Sequence, residues 1–388
     1  MNFILSDHYE DWIRLNPLTL TKSISSLRIG ITSIKEKWDR LLPSKTQIKT
    51  CQSYLNWQND FSLIPGEQNV FINSSYIPNA PLVARILELH DGESLYQKGQ
   101  LIASKLTIGK TSFEKELEYP NELIKINNPW DLFQYNDKVL KQDFELLTSG
   151  RKSAKLSSSN RVIGDEKLIF LEENAKVEAS ILNTNSGPIY LGKNAEIMEG
   201  SMVRGSLALC EGASLKLGTK IYGACTIGPY SKIGGELNNS LIQAYSNKGH
   251  DGFLGNSVIG EWCNLGADTN NSNLKNNYGE VKMYSYATKN FVNSKLQFLG
   301  LIMGDHSKCG INTMFNTGTV VGVFANIFGS NFPPKYIPSF SWGGAAGFVP
   351  FELEKAKEVA ERVMERRGLK LSKEEESVIE YLYQSKEE

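Results

Sequence analysis

A six-residue repeat in the C-terminal half of the chain is the feature that most restricts how this sequence can fold. Aliphatic residues recur at every sixth position in one unbroken run, and small side chains dominate four residues after each of them. The run is Ile197, Val203, Leu209, Leu215, Ile221, Ile227 and Ile233. A period of six fits neither an α-helix nor the two-residue alternation of a simple strand. It predicts a solenoid of three short faces per coil, about 18 residues long, with the aliphatic residues in a narrow core.

The repeat changes phase twice, and both changes predict an inserted loop. It resumes first at Phe253, Ile259 and Leu265, and then at Met303, Cys309, Phe315, Val321 and Ile327. The first interruption contains AYSNKGHDGF, and the second contains the Asn- and Lys-rich segment NNSNLKNNYGEVKMYSYATKN, which we expect to project. An all-β sandwich would space its strands by roughly 8–12 residues and would not keep one phase for so long.

The two ends of the chain predict different architectures. Residues 1–155 contain the strand patterns FILS and NVFINSS and the helix patterns RIGITSIKEKWDRLL and PLVARILEL, which predict an α/β domain. The polar segment SGRKSAKLSSSNR indicates a linker into the β-helix domain, residues 156–345. In residues 346–388, FELEKAKEVAERVMERR and SKEEESVIEYLYQ predict two amphipathic helices that cap and pack against the solenoid.

Composition excludes several classes of protein. The formal net charge of -1 argues against nucleic-acid or membrane-surface partners. The first residues lack the pattern of a secretion signal, and no run approaches the roughly 20 apolar residues of a membrane span. The five cysteines are far apart and fit neither a disulfide framework nor a zinc site. We therefore expect a cytoplasmic protein with free, mostly buried thiols.

His250 is the strongest candidate for chemistry in the repeat region. It lies in Asn247-Lys248-Gly249-His250-Asp251-Gly252, where the flanking glycines allow a sharp turn that exposes the imidazole. Acyl transfer from a thioester to an amine needs a base with a pKa near neutrality and donors for the developing oxyanion. Asn264 and the backbone near Ala267 lie slightly further along the solenoid and could supply those donors. A three-histidine zinc site fits poorly, because only His250 and His306 lie in the repeat.

The segment NKGHDGFLGNSVIGEWCNLGADTNNSNLKNNYG resembles the acetyltransferase domain of the bifunctional N-acetylglucosamine-1-phosphate uridylyltransferase/glucosamine-1-phosphate acetyltransferases, in particular a shorter bacterial variant group. The resemblance is most specific from about residue 187 to residue 329 and implies a left-handed parallel β-helix that forms homotrimers. It implies that His250 is the acetyl-transfer base, with Glu236 near it. Asn264 would contact substrate, and the backbone of Ala267 would line the site.

Other substrate contacts implied by the resemblance are less well preserved. Lys220 stands where the family has an arginine that grips the sugar phosphate, and the change loses bidentate geometry. Lys248, next to the His250 segment, is a further expected substrate contact. Phe253 replaces a tyrosine and Asn238 a phosphate-binding lysine. These departures leave the acceptor sugar open.

The N-terminal domain resembles a nucleotidyltransferase of the same family more weakly. RLNPLTLTKS matches the end of its signature loop and implies nucleotide contacts by Arg14, Thr19 and Lys22. The glycine-rich run that would precede it is absent, since Ser6-Asp7-His8-Tyr9 stands there. Ser74 replaces the metal-binding aspartate, and Asn127 or Asn128 could match the metal-binding asparagine. Mg²⁺ is therefore expected only if this domain is active.

These observations predict an enzyme that transfers an acetyl group from acetyl-CoA to the amine of an amino sugar phosphate such as glucosamine 1-phosphate. The acyl-CoA would lie in a groove between neighbouring solenoids. Coupling to nucleotidyl transfer from a nucleoside triphosphate would require an active N-terminal domain. Two alternatives remain open: a sugar-1-phosphate nucleotidyltransferase with the solenoid as a scaffold, and a non-catalytic regulatory or assembly subunit. Intact His250 and Asn264 argue against the second alternative.

Overall fold

A six-stranded mixed sheet with three helices forms the first of two units in a computed structural model that describes residues 1–109 and 114–385. This unit comprises Met1–Leu15, Thr21–Leu27 and Thr32–Asn128, and the second comprises Asn16–Leu20, Arg28–Ile31 and Pro129–Glu388. The helices of the first unit are α1 (Tyr9–Arg14), α2 (Ile34–Leu41) and α3 (Ala80–Leu87). The first eight strands of the chain are β1 (Asn2–Ser6), β2 (Arg28–Ile29), β3 (Thr32–Ser33), β4 (Thr46–Lys49), β5 (Gln68–Asn73), β6 (Glu93–Gln97), β7 (Gln100–Thr107) and β8 (Lys115–Glu118).

The order of the mixed sheet is β4-β1-β5-β7-β6-β8, and β1 runs parallel to both of its neighbours. The carboxyl ends of β1, β4 and β5 therefore meet at one edge. Of the helix predicted over RIGITSIKEKWDRLL, only Ile34–Leu41 is helical, because Ser33 starts the helix with a capping box to Glu36.

The strands from residue 161 onward are short, with two to four residues each, and most of their pairings are parallel. They are β9 (Arg161–Ile163), β10 (Ile169–Leu171), β11 (Lys176–Val177), β12 (Ile181–Asn183), β13 (Ile189–Leu191), β14 (Glu196–Ile197), β15 (Met202–Arg204), β16 (Leu207–Leu209), β17 (Ser214–Leu215), β18 (Lys220–Tyr222), β19 (Cys225–Ile227), β20 (Lys232–Ile233), β21 (Glu236–Asn238), β22 (Leu241–Ile242), β23 (Asn247–Lys248), β24 (Phe253–Gly255), β25 (Val258–Ile259), β26 (Asn264–Leu265), β27 (Asn270–Asn271), β28 (Lys282–Ser285), β29 (Asn290–Asn293), β30 (Leu301–Met303), β31 (Lys308–Cys309), β32 (Met314–Phe315), β33 (Thr319–Val321), β34 (Asn326–Ile327), β35 (Tyr336–Ile337), β36 (Ser341–Gly344) and β37 (Gly347–Pro350).

Three parallel sheets make the walls of the β-helix, so the predicted fold is confirmed. Face A has the order β10-β13-β16-β19-β22-β25-β30-β33-β35. Face B has the order β11-β14-β17-β20-β23-β26-β31-β34-β36, with β37 pairing antiparallel at its end. Face C runs β9-β12-β15-β18-β21-β24, and β27 and β32 form a separate pair. The seven aliphatic residues of the unbroken run all lie in the core between these faces.

The first phase change of the repeat comes from shortened coils, so the inserted loop predicted there is wrong. Register partners are 18 residues apart between Met202 and Lys220, but 16 apart between Lys220 and Glu236. Phe253, expected in the core, points outward, and Leu254 takes the core place because it lies in register with Leu237. The second change is a true insertion that carries the antiparallel hairpin β28–β29.

Helix α4 (Asp131–Thr148) packs on the outer side of face A. Its Leu140, Phe144 and Leu147 cluster with the outward residues Phe170 and Tyr190. In addition, Asn136 accepts hydrogen bonds from Gly30 N–H (2.8 Å) and the Thr226 hydroxyl (3.0 Å). The long segment of the second compact unit consequently begins at Pro129 and includes α4, because α4 buries its apolar face on the solenoid.

An aromatic column runs along the corner between faces A and B. It contains Tyr230, Tyr245, Trp262, His306, Phe324 and Phe340, one from each successive coil. All six have a positive φ of 54–60°, which costs about 1–2 kcal/mol for a residue with a side chain. Ring stacking at centroid distances of 4.2–6.1 Å offsets part of that cost in each coil.

The chain ends in the two predicted helices, α5 (Leu353–Glu365) and α6 (Lys373–Gln384). An ion pair of 2.9 Å between Lys357 and Glu380 joins them, and Tyr383 contacts the end of the aromatic column edge-on at Phe340. Just beyond α5, the guanidinium of Arg367 donates to Asn247 Oδ1 at 3.3 Å. No helix in the described part of the chain combines the length and apolar character that a membrane crossing requires.

Candidate functional site

His250 lies in the corner between β23 on face B and β24 on face C, called here the B–C corner. Its imidazole is exposed to solvent. The corners of adjacent coils stack directly on this one: Glu236 N–H donates to Gly252 O (3.1 Å), and Asp268 N–H donates to Asp251 O (3.0 Å). The structure therefore brings the neighbouring coils that carry Glu236 and Ala267 to the two sides of the His250 segment.

Gly252 is required for this stacking. Its φ is +113°, and a Cβ atom would lie 2.2 Å from the carbonyl oxygen of Thr269 in the next coil. An L-residue rarely adopts that conformation, and here it would also collide with backbone. Gly252 thus allows two corners to approach closely while His250 stays exposed, whereas a Cβ at Gly249 would meet nothing within 4 Å.

Lys248 is buried, with 1% of its surface exposed, and this differs from the substrate contact expected for it. It occupies a core position in register with Ile233. Its ammonium donates to the carbonyl oxygens of His250 (2.8 Å), Asp251 (3.1 Å) and Gly234 (3.3 Å). Burial lowers the pKa of Lys248 to about 8, although Asp251 and Asp268 act in the opposite direction.

Asn264 and Ala267 flank the His250 segment in the next coil. Asn264 is exposed on face B and lies in register with Asn247, three residues before His250. Ala267 lies in the stacked corner, where its carbonyl accepts a hydrogen bond from Asn312 N–H (2.8 Å). Asn264 thus presents an amide beside the corner, as a substrate-contacting asparagine would need to.

The outer surface of face C carries the remaining predicted residues. Lys220 is exposed and lies in register with Glu236, which in turn is in register with Phe253. Tyr222, which the sequence analysis missed, donates its hydroxyl to Glu236 Oε1 at 2.7 Å. Burial and this bond raise the pKa of Tyr222 to about 12, so the phenol stays protonated and keeps donating. Tyr222 therefore holds the Glu236 carboxylate in one orientation.

Phe253 leans over Gly255. A Cβ at Gly255 would meet the ring of Phe253 at 2.5 Å. The ring therefore reaches over Gly255 on the outer surface of face C, and Phe253 is in register with Glu236 in the adjacent strand. Phe253 gives this part of the surface an apolar ring in register with Glu236.

In the first unit, Asp7 and Ser74 follow the adjacent parallel strands β1 and β5. Asp7 is buried and accepts hydrogen bonds from the Ser23 hydroxyl (3.0 Å) and from Ile24 N–H (3.3 Å). Burial raises the pKa of Asp7 to about 7 despite these two bonds.

Asp11 is already neutralised by Lys125. The ammonium donates to Asp11 Oδ1 at 2.7 Å, and Asn73 (2.9 Å) and Ser75 (3.2 Å) donate to Oδ2. With a hydroxyl at Ser74, these strand ends do not fit a Mg²⁺ site. Within residues 1–109 and 114–385, no group of three or more His, Cys, Asp or Glu side chains is placed to hold a metal.

The residues predicted to contact nucleotide or metal differ in their burial and in their hydrogen-bond partners. Arg14 is exposed in the last turn of α1, and Lys22 is buried. In the second unit, the buried Thr19 donates its hydroxyl to Asn16 Oδ1 at 2.8 Å. Asn127 donates through its amide to Lys125 O at 3.3 Å. Their roles in nucleotide or metal binding stay predictions.

A β-helix that exposes a histidine at one corner and polar side chains on the adjoining faces defines the structural class of the second unit. For the first unit, residues 3–152 match the family model of sugar nucleotidyl transferases. These 150 residues contain β1–β8 and α1–α4, so the predicted nucleotidyltransferase-like domain is confirmed.

Curated relatives confirm the predicted resemblance. The chain is 26% identical over 242 residues to a bifunctional sugar-1-phosphate nucleotidylyltransferase/acetyltransferase of Sulfurisphaera tokodaii, covering 61% of this chain and 53% of the relative. It is 37% identical over 87 residues to the bifunctional protein GlmU of Methanocaldococcus jannaschii, covering 22% of this chain and 21% of the relative. The match thus spans about half the length of the first relative and about a fifth of the second. A solved Arabidopsis UDP-N-acetylglucosamine acyltransferase is 15% identical over 61% of this chain and 89% of that one, with a TM-score of 0.26, too low to establish a common fold.

Proposed function

We propose that the chain is a transferase that moves an acetyl group from acetyl-CoA to the amine of an amino sugar phosphate such as glucosamine 1-phosphate. The observation that carries this proposal is the exposed His250, with Asn264 and Ala267 in the next coil and with Glu236 and Lys220 on the adjoining face. The relatives named above as nucleotidylyltransferase/acetyltransferase and GlmU support it.

Each residue has a distinct part in this reaction. The amine nitrogen attacks the thioester carbonyl carbon while the His250 imidazole takes a proton from the nitrogen. The Asn264 amide and the backbone N–H at Ala267 donate to the oxyanion of the tetrahedral intermediate. Collapse of the intermediate breaks the C–S bond, and His250 returns the proton to the leaving thiolate. Lys220 attracts the phosphate of the acceptor, and Glu236, held by Tyr222, accepts hydrogen bonds from the sugar.

A homotrimer is part of the same proposal. Outward residues of face C include the apolar side chains of Ile163, Ile181 and Met202, which are 39–45% exposed in the single chain. Packing of this face against a second copy would bury them and would create a groove beside the B–C corner for the acyl-CoA.

The direct test replaces His250 by Gln and follows acetylated product from acetyl-CoA and glucosamine 1-phosphate. We expect kcat to fall by roughly 10²–10⁴-fold, the usual contribution of a general base. Product should be detected by mass, because the partly exposed Cys51 could react with thiol reagents. The control is His90→Gln, an exposed histidine of the first unit, which should leave turnover unchanged. Wild-type rates in the His250→Gln protein would remove His250 from the mechanism.

A second function, nucleotidyl transfer by the first unit, is favoured by the family match of residues 3–152. The ion pair between Asp11 and Lys125 and the hydroxyl of Ser74 fit Mg²⁺ poorly, which argues against it. Pyrophosphate release from UTP or dTTP with a sugar 1-phosphate, measured with and without Mg²⁺, separates the two. Mg²⁺-dependent release would support nucleotidyl transfer, and its absence from active acetyltransferase preparations would reject it for these substrates.

A further inference from the structure

A buried lysine stands in the core of the one coil that carries His250. In the adjacent coil of face B, the position in register with Lys248 is the aliphatic Ile233. An ammonium group in such a place loses its hydration, so an aliphatic side chain would serve the core better. The presence of a lysine at this core position therefore indicates that Lys248 has a role other than filling the core.

All three N–H donors of the Lys248 ammonium are hydrogen-bonded to backbone carbonyls. It donates to the oxygens of His250 (2.8 Å), Asp251 (3.1 Å) and Gly234 (3.3 Å), and three donors are all that an ammonium has. Two of these acceptors belong to the corner itself, and the third belongs to the coil in register with it. The carbonyl of His250 is thereby turned inward while its imidazole is exposed.

We propose that Lys248 is a positioning residue that fixes the backbone at His250 and so holds the imidazole in its working orientation. The proposal rests on the acetyl-transfer function proposed above and adds a residue that touches no substrate. Without the ammonium, the carbonyl of His250 would lose its donor, and the carbonyl of Asp251 would keep only the N–H of Asp268 (3.0 Å). The corner would then turn these groups toward water and move the imidazole, and a displacement of about 1 Å can lower a rate by about 10²-fold.

The test compares wild type with Lys248→Met, which keeps the length of the side chain and removes its charge. We expect kcat to fall by at least about 10-fold with KM for both substrates within about 2-fold, because binding groups are untouched. The melting temperature should change little, because the apolar side chain suits this core position and the corner can turn its freed carbonyls toward water. Lys248→Gln, which retains an N–H donor, should lie between the two in kcat.

Hydrogen exchange gives a readout that does not depend on activity. Amides of residues 249–253 should exchange at least about 10-fold faster in Lys248→Met than in wild type. The matched control is Lys308→Met, since Lys308 also donates to a backbone carbonyl (His306 O, 2.8 Å) but lies in a later coil. Lys308→Met should leave exchange at residues 249–253 unchanged.

Two outcomes would overturn the proposal: unchanged kcat and exchange in Lys248→Met, or a fall in kcat that follows a matching fall in melting temperature. If the wild-type protein transfers no acetyl group, the proposed function fails by itself. In that case faster exchange in Lys248→Met would still support the proposal that Lys248 fixes the backbone of the B–C corner, and unchanged exchange would reject it.

Discussion

Asp7 shows how a single buried carboxyl group makes stability depend on pH. Its pKa is about 7 in the folded protein and 3.8 in an unfolded chain, mainly because of burial. Between those pH values the folded state keeps a proton that the unfolded state has lost. Stability therefore falls as pH rises from about 4 to about 7, and it changes little further above that range.

Asp7→Asn removes this dependence, because Asn stays neutral at every pH in the range. The free energy of unfolding of wild type relative to Asp7→Asn should fall by up to about 1.4 kcal/mol per pH unit across the window. The measurement is urea unfolding of both proteins at pH 5 and pH 8, followed at the transition of the first unit. Other titrating groups cancel in the comparison, so a difference that stays constant with pH would contradict the assignment.

The residues of the site differ in how visible they were in the sequence. His250 was recognisable because glycines and polar residues surround it at a change of phase. Tyr222 was not, since its bond to Glu236 depends on a coil of 16 residues that aligns Lys220 with Glu236. Lys248 was expected to contact substrate, and only the strand register places it in the core.

At the scale of elements, the repeat predicted the solenoid because each coil repeats one burial pattern. The aliphatic residue at every sixth position points inward. The period of the repeat therefore predicts both which residues form the core and the order in which the strands pair. The shortened coils around residues 220–253 preserve that pattern with fewer residues, and a phase change cannot distinguish a shortened coil from an insertion.

Two features of the elements had no signal in the repeat. The residues of the aromatic column lie at corners and have positive φ, and the repeat does not specify a residue type there. That these side chains stack on one another is therefore seen only in the structure. Helix α4 has an amphipathic pattern, but the pattern does not name the surface it covers. Its contacts with Phe170 and Tyr190 join α4 to the solenoid, although the polar linker separates the two in the sequence.

At the scale of the whole molecule, face C is the surface through which the copies of the proposed trimer would contact one another. Ile181 and Met202 are neighbours in adjacent strands and are 39% and 45% exposed. Each side chain is already more than half buried in the single chain, so covering its exposed part would contribute about 1 kcal/mol. A carboxylate in its place would be stripped of water at the contact. A substitution on this face should therefore act through assembly rather than through folding of the single chain.

We expect wild type to elute and scatter light at three times its 43.3 kDa chain mass, and Ile181→Glu to shift the population toward single chains. Leu87→Glu is the matched control, because Leu87 is also 39% exposed but lies on α3 of the first unit. Acetyl transfer should fall with Ile181→Glu and recover as protein concentration is raised, since a groove between copies forms only in the assembly. A monomeric wild type with full activity, or an Ile181→Glu protein with unchanged mass and rate, would show that the site is complete within one chain.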